Sequence, residues 1–316
     1  MASLASASSP LPSHPSGSQP FFSIVIPTYN RPERLAACLG AIAQLDYPGD
    51  RFEVIVVDDG SQLDLKPAVA PFQPALQLSL IQQPNSGPAA ARNRGVQAAQ
   101  GEWIAFTDDD CMPLPSWLSA FAQAVPPVSE NGADLSPMLG GKTLNDLTEN
   151  LYSTASQQLI DYLYEYYNQA SKTIQFFASN NIAMRRDRFL EIGGFDVSFP
   201  LAAAEDREFC DRWLQHDLTM HYVPTAQIRH AHDLSLTSFW RQHFGYGRGA
   251  FYFHQVRAQR NSKPIQVEPL SFYLDLLRYP LTLRSRHGGW VLSSLFFLSQ
   301  VATTLGFFRE RFLGKN

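Results

Sequence analysis

An α/β fold with a central, mostly parallel sheet flanked by helices is predicted by two observations. Short apolar runs rich in β-branched residues alternate with segments of helical spacing, and most of the early runs stop abruptly at polar clusters. The first run, 22–27, reads as a buried strand ending at Thr28, Tyr29 and Asn30. A helix follows over 34–44, with Leu35, Leu39 and Ile42 on one side. The second strand, 52–57, ends at Asp58, Asp59, Gly60 and Ser61. A third strand is expected over 76–82, a small-residue helix over 89–99, and a fourth strand over 102–107. That strand runs into Asp108, Asp109 and Asp110. Ligands of such sheets bind outside the carboxyl ends of the strands, so the three polar clusters are expected to converge on one crevice. Further helices are expected over 117–125, 151–168, 186–192 and 207–216. The tyrosines of 151–168 (Tyr152, Tyr162, Tyr164, Tyr166 and Tyr167) are assigned mainly to helix packing.

The chain has 316 residues, 45% of them hydrophobic and 17% charged, an ordinary globular balance. A formal net charge of -4 supplies no basic field for nucleic acid. Cys38, Cys111 and Cys210 are too dispersed for a disulfide framework or a zinc site, which favours a reducing, cytosolic setting. Residues 1–20 are almost entirely Ser, Ala, Pro, Gly and Leu, and read as a disordered tail. They have neither the basic start nor the continuous apolar core of a secretory signal. The turn after the first strand is no G-x-G-x-x-G, and a P-loop is absent too.

The acidic triplet is the most informative stretch. Adjacent ionised carboxylates repel, so a strand end gains nothing by stacking them. A divalent cation reverses that balance, because Mg²⁺ and Mn²⁺ prefer hard oxygen ligands, and such an ion commonly holds a diphosphate. A solvated acidic turn is the alternative reading of these three residues.

Four segments in order carry a resemblance: 23–31, the Val56 to Ser61 cluster, 91–95 leading into 101–110, and Ile192 to Asp196 followed by Ala204 to Asp206. From about 21 to 249 the chain resembles a family 2 glycosyltransferase of the GT-A fold. The resemblance implies transfer of a sugar from a nucleotide-diphospho-sugar to a hydroxyl acceptor, with inversion. It implies that Pro27, Thr28, Tyr29, Asn30, Arg31, Asp58 and Asp59 line the nucleotide pocket, and that Arg92 and Arg94 steady the donor or an acidic loop. Asp108 and Asp110 match the outer positions of the D-x-D signature. Asp108 would approach the ribose and the metal, Asp110 the metal itself, with Asp109 kept in the donor set because the triple Asp leaves the register open. Glu205 and Asp206 match the family's Glu-Asp pair, with Asp206 as general base. Gly193, Gly194, Phe195 and Asp196 would shape the acceptor side. His230, in a strand over 228–232 that puts His232 on the same face, would reach Mn²⁺ or Mg²⁺. Arg241 and Arg248 would contact phosphate, cap helices or meet a membrane.

Residues 288–308 carry no charge over about the length of a bilayer span, with basic residues on both sides. Ser293, Gln300 and Thr304 on one face suit an interfacial or packed helix equally well. The expected organisation is therefore a tail (1–20), a catalytic domain (21–250, with a nucleotide-sugar half at 21–125 and an acceptor half at 126–250) and a helical region at 251–316. The expected partners are a nucleotide-sugar donor and a glycan, lipid-linked saccharide or small metabolite as acceptor. Nucleic acid is not among them. A peripheral or single-span membrane contact through 288–308 would place the protein at the inner face of the cytoplasmic membrane. A sugar nucleotidyltransferase, a non-catalytic scaffold and a processive synthase are the competing readings. The synthase is disfavoured because no Gln-x-x-Arg-Trp motif occurs near Trp240.

Overall fold

β1 (Phe22–Thr28) is buried along its whole length, as a strand covered by helices on both faces must be. The computed structural model describes residues 19–126, 136–168, 174–199, 203–261 and 268–313. In it β1 pairs in parallel with β2 (Phe52–Asp58) on one side and with β4 (Trp103–Phe106) on the other. β3 (Leu78–Gln82) extends the sheet beyond β2, also in parallel. The crossovers are α1 (Pro32–Ile42), α2 (Lys66–Val69) with a 3₁₀ turn after it, and α3 (Pro88–Ala98). The chain moves outward from β1 in one direction and then returns to its other side. This makes the carboxyl ends of β1 and β4 the topological switch point where a crevice opens. α3 lies so close to β1 that a Cβ on Gly95 would stand 2.3 Å from Val25 Cγ1.

The second half is mixed. It comprises β5 (Cys111–Pro113), α4 (Trp117–Ala124), β6 (Met138–Asn145), α5 (Leu151–Asn168), β7 (Ile182–Arg185), α6 (Arg186–Ile192), α7 (Glu205–Gln215) and β8 (Met220–His230). The 8-stranded sheet has the order β3-β2-β1-β4-β7-β6-β8-β5. β7 is antiparallel to β4 and β6, β8 is parallel to β6, and β5 is antiparallel to β8. The parallel arrangement thus holds for the amino-terminal half, and the other half departs from it. The register of β6 on β8 breaks between Gly141 and Lys142, leaving Pro224, Thr225 and Ala226 without partners on β6. Asn181, fully buried, seals this bulge. Its amide donates to the carbonyls of Lys142 and Ala226, each at 3.1 Å, and its oxygen accepts from Trp117 Nε1 at 2.8 Å.

Helices expected over 151–168 and 186–192 form over those spans. The helix expected at 207 begins at Glu205 instead, because Ala204 adopts a left-handed φ of 71° and turns the chain into it. Both acidic residues therefore sit in its first turn, where the helix dipole favours negative charge. The tail expected over 1–20 lies outside the described residues, save Gln19 and Pro20. Those two are tied to Arg51 and to the Tyr47 hydroxyl.

The carboxyl-terminal region is helical: α8 (Leu236–Asn261), α9 (Leu270–Thr282) and α10 (Gly289–Leu313). α8 runs without a break through residue 250, so the boundary expected there falls inside one helix. α10 packs along α8 and against α9 and α5. Arg248 of α8 is bound to Glu310 of α10, which takes it away from a phosphate-binding role. Most of the α5 tyrosines pack as expected: Tyr162 stacks among Phe272, Tyr166 and Tyr279, and Tyr164 against Phe176 and Phe177.

Candidate active site

A cavity of about 1430 Å³ opens at the carboxyl ends of β1 and β4 and extends under α8 and α10. The three polar clusters contribute as follows. Pro27, Thr28, Tyr29 and Arg31, from the end of β1, line it together with Asp59 and the whole of Asp108, Asp109 and Asp110. Asp58 and Asn30 stand behind this wall. The Asp58 carboxylate accepts from Ser61 N at 2.9 Å and Gln82 Nε2 at 3.3 Å, and Asn30 Oδ1 accepts from Gln62 N at 2.7 Å. Asp59 accepts from the backbone N–H of Ser86 and of Gly87, both at 2.8 Å, and so fixes the chain entering α3.

The acidic triplet is held by opposite charge. Asp109 accepts from Thr28 Oγ1 at 2.8 Å and from Arg31 Nη1 at 3.1 Å. Asp110 faces Arg34 at 3.2 Å, Arg31 at 3.4 Å and His230 Nε2 at 3.3 Å. Burial pushes the Asp109 carboxyl up to about 6, against the pull of Arg31. Burial acts on Asp110 in the same sense, yet the hydrogen bond and charge of His230, with Arg31, hold it well below the usual carboxylate range. His230 stacks on His232, ring centroids 5.0 Å apart, and both line the cavity. Burial and the neighbouring His230 bring His232 down to about 4.

Arg92 links the acidic triplet to the Glu205–Asp206 pair. It is only 3% exposed, with Nη2 2.6 Å from Asp108 and Nη1 3.5 Å from Glu205, and its guanidinium lies 5.7 Å from the centre of the Phe195 ring. Glu205 and Asp206 both line the cavity. Burial, and for Glu205 then the charge of its neighbour, raises both carboxyls above their ordinary values, with Arg92 opposing. Asp206 Oδ1 also accepts from Arg207 N at 2.7 Å.

Some expected residues fall elsewhere. Arg94 projects from the solvent side of α3. Gly193, Gly194, Phe195 and Asp196 do not line the cavity. Phe195 is 2% exposed and packs in the core against Phe106, Phe189 and Phe209. The loop supports Arg92 from below, and is itself held by Asn93, which exchanges two hydrogen bonds with the Phe195 backbone at 2.8 and 2.9 Å. Gly193 closes α6 with a φ of 92°, a conformation natural to glycine. Sequence reasoning missed Arg34 and Asn93. Arg34 lies three residues beyond Arg31 at the start of α1, a spacing that puts both on one side of the helix. Nothing local marks Asn93, whose partner is 102 residues away.

The donor atoms fit a small divalent cation. Asp110, Cys111 and His230 present ligand atoms within 4.8 Å of one another. The Cys111 thiol is fully buried, and burial keeps it protonated. The hard pair is then Asp110 Oδ1 and His230 Nε2, 3.3 Å apart, close to the separation of about 3 Å between adjacent ligands that each stand about 2.1 Å from one ion.

Comparisons with known proteins agree with this geometry. The family model described as Glycosyl transferase family 2 matches residues 23–193. Glycosyltransferase AglE of Haloferax volcanii is 32% identical over 179 residues, 56% of this chain and 56% of that one. Chondroitin synthase of Escherichia coli is 28% identical over 236 residues, 66% of this chain and 34% of its own. The chain thus spans about half or less of the length of these curated relatives. Among solved structures, the mannosyltransferase PcManGT of Pyrobaculum calidifontis superimposes with a TM-score of 0.63 at 18% identity, over 95% of this chain and 89% of that one. TarS of S. aureus follows with 0.51 at 19%, over 91% and 54%. These likenesses establish the GT-A fold. With more than half of its length matched by the family model, the chain belongs to glycosyl transferase family 2.

Proposed function

We propose that this glycosyltransferase moves a sugar from a nucleotide-diphospho-sugar to an acceptor hydroxyl by one in-line displacement with inversion, and that Asp206 is the general base. The observation that carries the proposal is the Arg92 bridge. One buried guanidinium spans Asp108, on the nucleotide side, and Glu205, beside the base, and so fixes the distance between donor and acceptor chemistry. Pro27, Thr28, Tyr29 and Arg31 hold the nucleotide, with Asp59 ordering the loop beside it. Asp110 and His230, with Asp108 nearby, would hold Mn²⁺ or Mg²⁺. Such an ion offsets the charge that builds on the departing nucleoside diphosphate. Arg31 and Arg34 supply further positive charge at the same place. Asp206 accepts the proton of the attacking hydroxyl, and its raised carboxyl makes it a stronger base than an exposed aspartate. Glu205, when charged, raises that basicity through their mutual repulsion.

PcManGT was solved with GDP-Man and Mn²⁺, and a TarS fragment with UDP-GlcNAc. They support a nucleotide-sugar and a metal here and leave the base open. The acceptor we favour is a lipid-linked saccharide, met at the inner face of the cytoplasmic membrane and extended by single additions. Support for the lipid comes from the apolar α5, α9 and α10 side chains that continue the cavity beyond the base, among them Leu159, Leu163, Leu276 and Phe307. Family membership argues against the nucleotidyltransferase reading.

The test is a thermal-shift and calorimetric panel of UDP-, GDP- and dTDP-sugars with and without Mn²⁺, repeated on Asp206→Asn. One nucleotide is expected to stabilise the protein strongly only when metal is present. Asp206→Asn should keep that binding and lose turnover by about a hundredfold to ten-thousandfold. Near-normal turnover in the variant removes Asp206 as base, and metal-independent binding removes the ion.

A further inference from the structure

α10 is the one helix among the described residues long and apolar enough to cross a membrane, yet its surroundings are those of a docked helix. A Cβ on Gly247 would stand 1.9 Å from Thr303 O, and one on Gly306 would stand 2.0 Å from Phe244 O, so the backbones of α8 and α10 touch. Glu310, 5% exposed, is bound by Arg248 and by the Tyr252 hydroxyl at 2.8 Å. Gln300, Thr303 and Thr304 form part of the cavity wall. A helix that walls an active-site cavity and carries a buried carboxylate cannot also be ringed by acyl chains.

Its outer side is different. Trp290, Phe297, Leu305, Phe308 and Phe312 are exposed at 77, 60, 50, 41 and 72%, and their spacing puts them on one stripe of roughly 33 Å. Neighbouring α9 adds Leu270, Leu274 and Leu281, exposed at 73, 44 and 40%. Five arginines stand at the rim of this face. Arg284 and Arg286 precede Trp290, Arg309 and Arg311 flank Phe308 and Phe312, and Arg278 stands beside Leu274 and Leu281. Glu310 turns inward to Arg248 and also pairs with Arg309, Glu268 accepts from Tyr166 and Tyr167, Asp275 faces Arg278 and Glu149 faces Arg286, which leaves Arg284 and Arg311 with no acidic partner among the described residues. An apolar stripe rimmed by arginine matches a bilayer surface with anionic headgroups: rings enter the acyl boundary and guanidinium groups stay with the phosphates.

We infer that the outer face of α9 and α10 docks the protein in the plane of an anionic bilayer without spanning it. Phe307, Phe308 and Arg311 belong to the cavity lining as well, so docking brings the mouth of the cavity to the lipid surface. The inference does not depend on which sugar is transferred or on the role of Asp206.

The experiment is flotation of the full chain with vesicles of phosphatidylcholine alone or with phosphatidylglycerol. Binding is expected to favour the anionic vesicles by about tenfold or more, to weaken in high salt, and to be reversed by alkaline carbonate. Phe297→Asp and Leu305→Asp lie outside the cavity and should each lower partitioning about tenfold, with donor-induced thermal shifts unchanged. Equal binding to both vesicles, or partitioning that neither variant alters, overturns the inference. Carbonate-resistant insertion would show a spanning helix instead. Concentration-dependent dimers in the absence of vesicles, lost in the same variants, would assign the face to a second copy of the chain.

Discussion

Arg92→Met should destabilise the metal-free, donor-free protein in a strongly pH-dependent way. Methionine fills much of the guanidinium's space but leaves Asp108 and Glu205 without their partner. Breaking a buried pair by removing one charge costs about 3–5 kcal/mol when the remaining charge has no escape. Glu205 has one, since it can bind a proton. That limits its cost to about 1.36 kcal/mol for each pH unit above its ordinary 4.5. The ceiling is about 5 kcal/mol at about pH 8 and under about 1 kcal/mol at about pH 5. The wild-type protein already bears part of this penalty. Its Glu205 carboxyl sits above the unfolded value, so the native state binds more protons and loses stability as pH rises between the two values. Removing Arg92 raises the native value further and widens that window. With the wild-type carboxyl already at about 7, the further loss through Glu205 is at most about 1.4 kcal/mol at pH 8 and close to nothing at pH 5. In thermal unfolding followed by circular dichroism with a chelator present, this means a fall of about 2 °C at pH 8 and almost none at pH 5. An equal fall at both pH values, or none at pH 8, would refute the bridge as the element that compensates these carboxylates.

Asp110→Ala should weaken Mn²⁺-dependent donor binding at least about tenfold while leaving metal-free nucleotide binding nearly unchanged, as read by calorimetry; equal affinity with Mn²⁺ would count against Asp110 as a ligand. Turnover should rise with pH as the raised Asp206 carboxyl loses its proton, at a pH above the ordinary aspartate range, and a rate that does not rise with pH would argue against it as base. Asn93→Ala strands the Phe195 N–H and carbonyl, at a cost of about 1–3 kcal/mol in denaturant unfolding, and should lower kcat more than nucleotide affinity. Gly306→Leu forces α10 off α8 and should expose the carboxyl-terminal helix to limited proteolysis, whereas an unchanged digestion pattern would contradict the close packing.

The amino-terminal half was legible because β1 and β4 are fully buried and β2 is buried at every position but Glu53, and such strands read as nearly unbroken apolar runs with a sharp polar end. Less could be read from the half that follows. β8 is interrupted by its bulge, so period-two alternation was visible only near 228–232, and His232 proved to lie beyond the strand. Gly245, Gly247 and Gly249 give α8 the look of a loop, yet Gly247 sits where α10 touches it. The Gly193 to Asp196 segment was recognisable as a motif, but its position in the core depends on Asn93 and Arg212, from elements far along the chain. Arg92 stood out by identity, whereas its partners lie 16 and 113 residues away.

The bulge sealed by Asn181 has a consequence for His230. Side chains on a strand alternate between faces, so an odd number of extra residues inverts the phase of everything that follows. Pro224, Thr225 and Ala226 are three such residues. With them looped out, His230 pairs opposite Asn145 and meets Asp110. A slip of one residue in the register beyond the bulge would carry Arg229 to the cavity side and turn the His230 imidazole away. The register beyond that small interruption, held by one buried amide, therefore sets which side chain is offered to the Asp110 carboxylate.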